Sequence, residues 1–409
     1  MSPTPQRLAF DADGRLVLAL ADGSTVAVMH PTAPVRADAA VDGSRWLVGG
    51  CNGAAGEPSI DLIDLGAPAM LERWAVGADG VCREPQGVEM ASLPAVPGYL
   101  LNPHLVAAAR KRLNDFQIYS LLRLTAGTAA AAAYLDGCAA EHGPVTPDGC
   151  RLVVIFNHHY ARNCRPIHDL YRRRFPNVDF VMPCVAPRHP HYHAYPFGSY
   201  QFHGLIHGYL RDRQRAASDG PKAYLFIQDD VFLHPRVSAA WICDLLAEEH
   251  GGLFPWDFPY SLAATQWPWT ARVANALERQ QDPLVGNGFE GLTPGVLPCR
   301  LQHGVSDCFA LRAELVPDFL DRLGPLVAAN VFPEVSIPTA LFAAVRAAGF
   351  TIAIRPGALL WNEDRRRARD PAYIADFLAS DALFLHPMKI ASGDEAILRM
   401  IRAAEPAAD

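Results

Sequence analysis

Two adjacent carboxylates stand at the end of an apolar run in the middle of this chain. The stretch 223–235 reads AYLFIQDDVFLHP, so Gln228, Asp229 and Asp230 separate two hydrophobic segments. A short continuous apolar run bounded in this way predicts a strand buried on both faces. Carboxylates at the exit of such a strand lose hydration and repel each other, and they need a cation or a basic partner. A hard divalent ion, Mn²⁺ or Mg²⁺, takes one or two carboxylates and completes its shell with phosphate oxygens and water. That chemistry suits a substrate carrying a diphosphate. A solvated or capped turn is the plain structural alternative for an isolated acid pair.

Other places carry groups that such a substrate needs. RLVVIF (151–156) leads into Asn157-His158-His159-Tyr160, with Arg162 and Arg165 close behind. A base or ribose could rest after that strand, and Arg pairs bidentately with phosphate. Gln302-His303-Gly304-Val305-Ser306-Asp307 precedes CFALR. Gly304 permits close backbone approach, and Asp307 either touches a hydroxyl or starts the next element. Phe332-Pro333-Glu334 opens a helical pattern, and an acid in a first turn is favoured by the helix dipole with or without a catalytic role. DALFLHPMKI (381–390) delivers His386 and Lys389; on spacing alone a lone histidine is usually a satisfied structural residue, while an ammonium suits anionic oxygens. Glu363-Asp364 adds a further acid pair late in the chain.

Eight of the fifteen histidines, at 158, 159, 168, 189, 191, 193, 203 and 207, crowd into one region. RHPHYH has the HxH spacing of a zinc-binding strand, although its prolines favour a structural loop. Phe254, Trp256, Phe258, Tyr260, Trp267 and Trp269 form an aromatic stretch that could stack on a sugar or pack a core. Arg365-Arg366-Arg367 reads as a solvated face.

The elements that must hold these groups follow from pattern. From 151 onward apolar runs alternate with helical spacing: strands at 151–156, 178–182, 223–227, 308–311 and 351–355, and helices at 165–175, 200–215, 313–328 and after Glu334. This predicts an α/β domain with a largely parallel sheet, whose ligands bind at the carboxyl ends of the strands. The first hundred residues differ. Turn signals at Asp13-Gly14, Asp22-Gly23, Asp42-Gly43 and Asp79-Gly80 between alternating runs predict hairpins, and 99–141 reads as two Ala- and Leu-rich helices.

The order of pieces in 151–390 resembles nucleotide-sugar-dependent glycosyltransferases of the GT-A fold. Those enzymes carry DxD or EDD after a strand of this kind. The resemblance implies that Asp230 is the metal-binding acid and that Asp229 contacts the ribose or donor sugar. Gln228 departs from the pattern, since an amide still hydrogen-bonds the donor but adds no charge to balance the metal. The resemblance further implies that Asn157, Arg162, Arg165 and Lys389 bind the donor nucleotide and its phosphates. His386 would complete the metal's ligands, Asp307 would belong to the acceptor loop, and Glu334 would deprotonate the acceptor if the enzyme inverts configuration, with Asp307 and Glu363-Asp364 as its competitors for that role.

The sequence therefore predicts an α/β, GT-A-like (Rossmann-related) central sheet with flanking helices over 151–409. A β-rich domain (1–98) and a helical connector (99–150) precede it. The expected activity is transfer of a sugar from a nucleotide-diphosphate sugar to a hydroxyl of a glycan or glycolipid, assisted by a divalent cation. Surface polysaccharide synthesis fits by analogy. Two rivals stand beside it. One is a metal-dependent hydrolase built from Asp229, Asp230 and the 158–193 histidines, and the other is a carbohydrate-binding protein without activity.

Composition sets the outer limits. The chain has 409 residues, 19% of them charged and half hydrophobic, which excludes a disordered charged protein and leaves room for two or more domains. A net charge of −7 argues against general nucleic-acid binding. No apolar run reaches the ~18 residues of a membrane span, which leaves only a peripheral contact with a membrane open. The start of the chain lacks the apolar core of a signal peptide. Nine scattered cysteines with no CxxC pair are expected to be reduced, as in a cytoplasmic protein.

Overall fold

The computed structural model describes residues 4–10, 12, 16–28, 46–52, 58–64, 70–89, 115–143, 149–157, 161–197, 201–216, 220–255, 260–261, 302–328, 330–360, 367–368, 370–388, 399 and 403–404. The chain divides into two compact units, Met1–Gly137 and Cys138–Asp409. The division falls inside the expected connector.

The first unit is built of antiparallel strands; the turn signals Asp22-Gly23 and Asp79-Gly80 are among the described residues, and Asp13-Gly14 and Asp42-Gly43 lie outside them. Strands β1 (Pro5–Phe10), β2 (Leu16–Leu20) and β3 (Thr25–Ala27) form one antiparallel sheet. Strands β4 (Trp46–Asn52), β5 (Pro58–Asp64), β6 (Met70–Val76) and β7 (Cys82–Glu89) form another. At the Asp22-Gly23 turn, Gly23 adopts φ +83°, and Asp22 accepts from Ser24 N–H and Oγ–H. Leu18, Leu20, Ile60, Leu62 and Val76 make a small core. Helix α1 (Asp115–Asp136) closes this unit; residues 99–114, where the other predicted helix falls, lie outside the described residues.

The second unit contains a seven-stranded sheet. Its strands are β8 (Cys150–Ile155), β9 (Val178–Pro183), β10 (Tyr192–Tyr195), β11 (Ala223–Gln228), β13 (His250–Pro255), β16 (Cys308–Arg312) and β17 (Thr351–Arg355). Short strands β12 (Phe232–Leu233), β14 (Tyr260–Ser261), β15 (Gln302–His303), β18 (Ala358–Leu359) and β19 (Phe384–His386) lie outside it. The order is β10-β9-β8-β11-β16-β13-β17, and every neighbouring pair is parallel except the two made by β16. Every residue of β8, β9 and β11 is buried, as expected of strands covered on both faces.

Helices α2 (Cys164–Tyr171), α3 (Phe202–Ala216), α4 (Ala239–Leu245), α5 (Val316–Ala328), α6 (Pro333–Ala347) and α7 (Pro371–Ala379) complete the unit. One large core joins Phe226, Phe309 and Leu311 of the sheet to Tyr209, Phe319, Leu323 and Leu341 of α3, α5 and α6. The strand β13 escapes pattern reading because Gly251-Gly252 resembles a turn. Packing explains the glycines: a Cβ on Gly251 would stand 2.8 Å from Leu315 Cδ1 and 2.9 Å from Phe350 Cβ. Among the described residues no helix is long and apolar enough to cross a membrane.

Candidate active site

The reversal of β16 decides where the site forms. Because β16 runs against its neighbours, its first residue lies at the carboxyl ends of the parallel strands, where β11 delivers the acid pair. Ile227 pairs with Cys308, and Gln228 N–H donates to Asp307 O at 3.0 Å. On the other side Asp229 N–H donates to Ile155 O at 3.0 Å. The motif is thus held between the ends of two strands. Asn157 joins it, donating from its backbone N to Asp229 Oδ1 and from Nδ2 to Gln228 Oε1, both at 3.2 Å. With its amide turned this way, Asn157 Oδ1 is a buried acceptor without a hydrogen-bond partner. Gln228, Asp229 and Asp230 are all buried.

The end of the chain folds back to this place. Strand β12, two residues after Asp230, pairs with β19 through Phe232–Leu385 and Leu233–Phe384. Met388 N–H donates to Asp230 O at 2.6 Å. These bonds set His386 between two carboxylates: Nε2 lies 3.2 Å from Asp230 Oδ1 and Nδ1 lies 3.7 Å from Asp307 Oδ2. Thr339 Oγ1 accepts from Gln302 N at 2.9 Å, and Gly304 N–H donates to Glu334 O at 2.9 Å, so the 302–307 loop is strapped to α6. Glu334 sits half-buried in the first turn of α6, after Pro333.

Asp307 registers the convergence electrostatically. Burial pushes its carboxyl up to about 6; His386 opposes the rise, and the nearby charges of Glu334 and Asp230 add to it. Asp230, Asp307, Glu334 and His386 are therefore one cluster, assembled from four separate stretches of sequence. A carboxyl held near neutrality at a strand end has the proton affinity of a general acid or base.

The donor set fits a hard divalent ion. Adjacent corners of an octahedron with bonds of about 2.1 Å are about 3.0 Å apart, close to the 3.2 Å between Asp230 Oδ1 and His386 Nε2. Among the described residues no group of three or more His, Cys, Asp or Glu side chains is arranged to hold an ion. An ion on Asp230 and His386 would thus depend on substrate oxygens and water for its remaining positions.

Arg162 and Arg165 are exposed, and Arg165 donates from Nη2 to Ala139 O at 3.2 Å. Phe254 is core, packed edge-on to Phe342, not a sugar platform. Lys389, His158, His159, Tyr160, Trp256, Phe258, Trp267, Trp269, Glu363, Asp364, Arg365 and Arg366 lie outside the described residues. Two residues of structural consequence carry no sequence motif: Tyr171, at the end of α2, and Arg174, three residues beyond it, bond to the backbone that follows Asp230.

The described histidines of the 158–193 stretch do not approach the acid pair, contrary to what a hydrolase built from them requires. They gather at the opposite, amino edge of the sheet, because His191 and His193 flank the start of β10 and Asp179 is the second residue of β9. His191 Nδ1 is 2.6 Å from Asp179 Oδ1, and Arg213 Nη2 is 3.1 Å from His193 Nε2. The His142 ring stacks on His191 at 4.3 Å and lies 4.4 Å from His168 and 5.1 Å from His189, and its Nε2 meets Tyr192 Oη. The HxH spacing thus serves a structural carboxylate.

Stacked imidazoles tolerate little charge. Burial first, then His191, His168 and His189, hold His142 down to about 3, while Asp179 acts weakly the other way. An unfolded histidine protonates near 6.5, so the fold is penalised as pH falls below 6.5 and the penalty grows until His142 itself protonates. Thermal unfolding scanned from pH 7.5 to 5 should show a falling midpoint. His142→Asn should reduce that fall, and an equal slope in both proteins would refute the assignment.

No family model matches this chain, and no curated protein does. Among solved structures it is similar to a glycosyltransferase involved in the glycosylation of the major capsid of PBCV-1. That match has 9% identity and a TM-score of 0.34, and covers 62% of this chain and 99% of that one. It is also similar to the bifunctional glycosyltransferase WbbM in its apo form, at 10% identity and a TM-score of 0.31. There the match covers 68% of this chain and 55% of the other, just over half its length.

Proposed function

We propose that the second unit is a GT-A-like glycosyltransferase that moves a sugar from a nucleotide-diphosphate sugar to a hydroxyl of a glycan or glycolipid. The observation that carries the reading is the cluster of Asp230, Asp307, Glu334 and His386 at the carboxyl edge of the sheet. The resemblance of 151–390 to that family supports the same roles.

In this reading Asn157 and Asp229 fix the donor's nucleoside end, with Asn157 Oδ1 free to accept an N–H or O–H. Asp230 and His386 would hold Mn²⁺ or Mg²⁺, whose charge would offset that of the departing diphosphate. Glu334 takes the proton of the acceptor hydroxyl as its oxygen bonds to the anomeric carbon and the bond to phosphate breaks. The geometry asked of Glu334 is that of inversion. Asp307, buried and near neutrality, orients the acceptor or shares its proton with His386.

The test is release of nucleoside diphosphate from a panel of nucleotide sugars, with Mn²⁺ and with a chelator. Turnover that the chelator abolishes is expected. Glu334→Gln should lower acceptor-dependent turnover by about 10²–10⁴-fold while leaving donor affinity in place. No turnover across the panel, together with an Asp230→Asn protein that binds donors and Mn²⁺ as well as the parent, would sink the reading.

A further inference from the structure

Tyr171 is fully buried at the end of α2, and its hydroxyl is threaded into the backbone that leaves the acid pair. It donates to Val231 O at 3.0 Å and accepts from Leu233 N–H at 3.1 Å. Arg174 continues the support: Nη1 donates to His234 O at 2.8 Å and to Val237 O at 3.0 Å. Its own carbonyl accepts from Ala239 N–H at 3.0 Å. The guanidinium lies 5.3 Å from the Tyr171 ring centroid, so the two side chains brace each other. Burial pushes the Tyr171 phenol above its usual range, which keeps the hydroxyl neutral and able both to donate and to accept.

What this helix end supports is the common mount of both proposed ion donors. Asp230 directly precedes Val231, and β12, carrying Leu233, is the strand that pairs with β19 and sets His386. A shift of the backbone at Val231 or Leu233 would change the 3.2 Å spacing between Asp230 Oδ1 and His386 Nε2. We propose that Tyr171 is a positioning residue for the Asp230–His386 pair, holding the two donors at the separation a divalent ion needs. The inference rests on the reading above in taking those two residues to share an ion.

The test is titration of the full chain with Mn²⁺ alone, followed by binding and not by turnover. The parent should bind Mn²⁺, and Tyr171→Phe, which removes only the hydroxyl, should bind it about tenfold more weakly, as loss of a supporting hydrogen bond behind a metal ligand does. Tyr209→Phe supplies the control. It also deletes a buried hydroxyl, one bonded to Asp179 at the amino edge, and should bind Mn²⁺ like the parent. Equal affinity in Tyr171→Phe and the parent overturns the positioning role. Equal weakening in both tyrosine variants also overturns it, since general loosening then suffices. A parent that binds no Mn²⁺ overturns the metal reading beneath it. Should Tyr171→Phe fail to fold, Arg174→Lys carries the same expectation, and unchanged affinity there overturns the proposal.

Discussion

Asp230→Asn is expected to leave the fold intact and to lower donor turnover by about 10²–10³-fold, the range seen when one preorganised charge-stabilising group is removed. The substitution keeps the side chain's shape and leaves the backbone carbonyl that accepts from Met388 N–H. What it deletes is one of the two side chains proposed to hold an ion. Mn²⁺ affinity should fall with turnover. A second effect separates this cause from misfolding. The charge on Asp230 helps raise the Asp307 carboxyl to about 6, so removing it should lower the Asp307 titration. Glu334→Gln should lower it too, and His386→Gln should raise it. Carboxyl-carbon NMR titration reads all three. An Asp307 that titrates unchanged in every variant would show that the four groups do not form one electrostatic cluster.

Those expectations depend on a juxtaposition that was only half legible in the sequence. Asp229 and Asp230 announce themselves because they end a buried apolar run, and side-chain pattern marks such a run well. Asp307 does not. Its approach to Asp230 follows from the antiparallel course of β16, and the apolar run CFALR reads the same in either direction. His386 is placed by β12–β19 pairing, which depends on two short stretches 152 positions apart in sequence, Phe232 and Phe384 being their first residues. Tyr171 and Arg174 act on backbone atoms, so their partners leave no residue-type signature.

The histidines pose the opposite problem. The spacing of His191 and His193 does put both on one side of the chain, as the HxH pattern implies. The object they face is Asp179, which reads as an unremarkable member of VDFVM. A sequence shows that two imidazoles share a side; it does not show whether a metal or a carboxylate lies between them. Gly251-Gly252 misleads for a related reason: the glycines answer to the side chains of Leu315 and Phe350, not to local turn chemistry.

Asp179→Asn is the substitution expected to cost the second unit most stability, about 3–5 kcal/mol, as when one partner of a buried ion pair is removed. Asp179 is wholly buried and accepts from Arg151 Nη1 at 3.1 and 3.0 Å, Arg213 Nη2 at 2.6 Å and Tyr209 Oη at 2.7 Å, with His191 Nδ1 also at 2.6 Å. Burial alone would push this carboxyl up. The bonds from His191 and His193, then the charges of Arg151 and Arg213, outweigh it and hold the carboxyl well below the usual range. A depressed carboxyl contributes stability above its unfolded value, 3.8, and loses it as pH falls through the folded value. Denaturant unfolding should therefore give a gap between parent and variant that is steady from pH 5 to 7 and narrows below about pH 3.8. The asparagine can accept some of the bonds but carries no charge, so Arg151 stays buried without its anion. Asp179→Leu combined with Arg151→Met removes both sides of that debt and should recover part of the loss. Because this network lies at the amino edge of the sheet, folded Asp179→Asn protein should bind Mn²⁺ as the parent does. A variant that loses Mn²⁺ binding while remaining folded would mean that the two edges of the sheet are coupled, contrary to the separation of the structural and the proposed catalytic carboxylates.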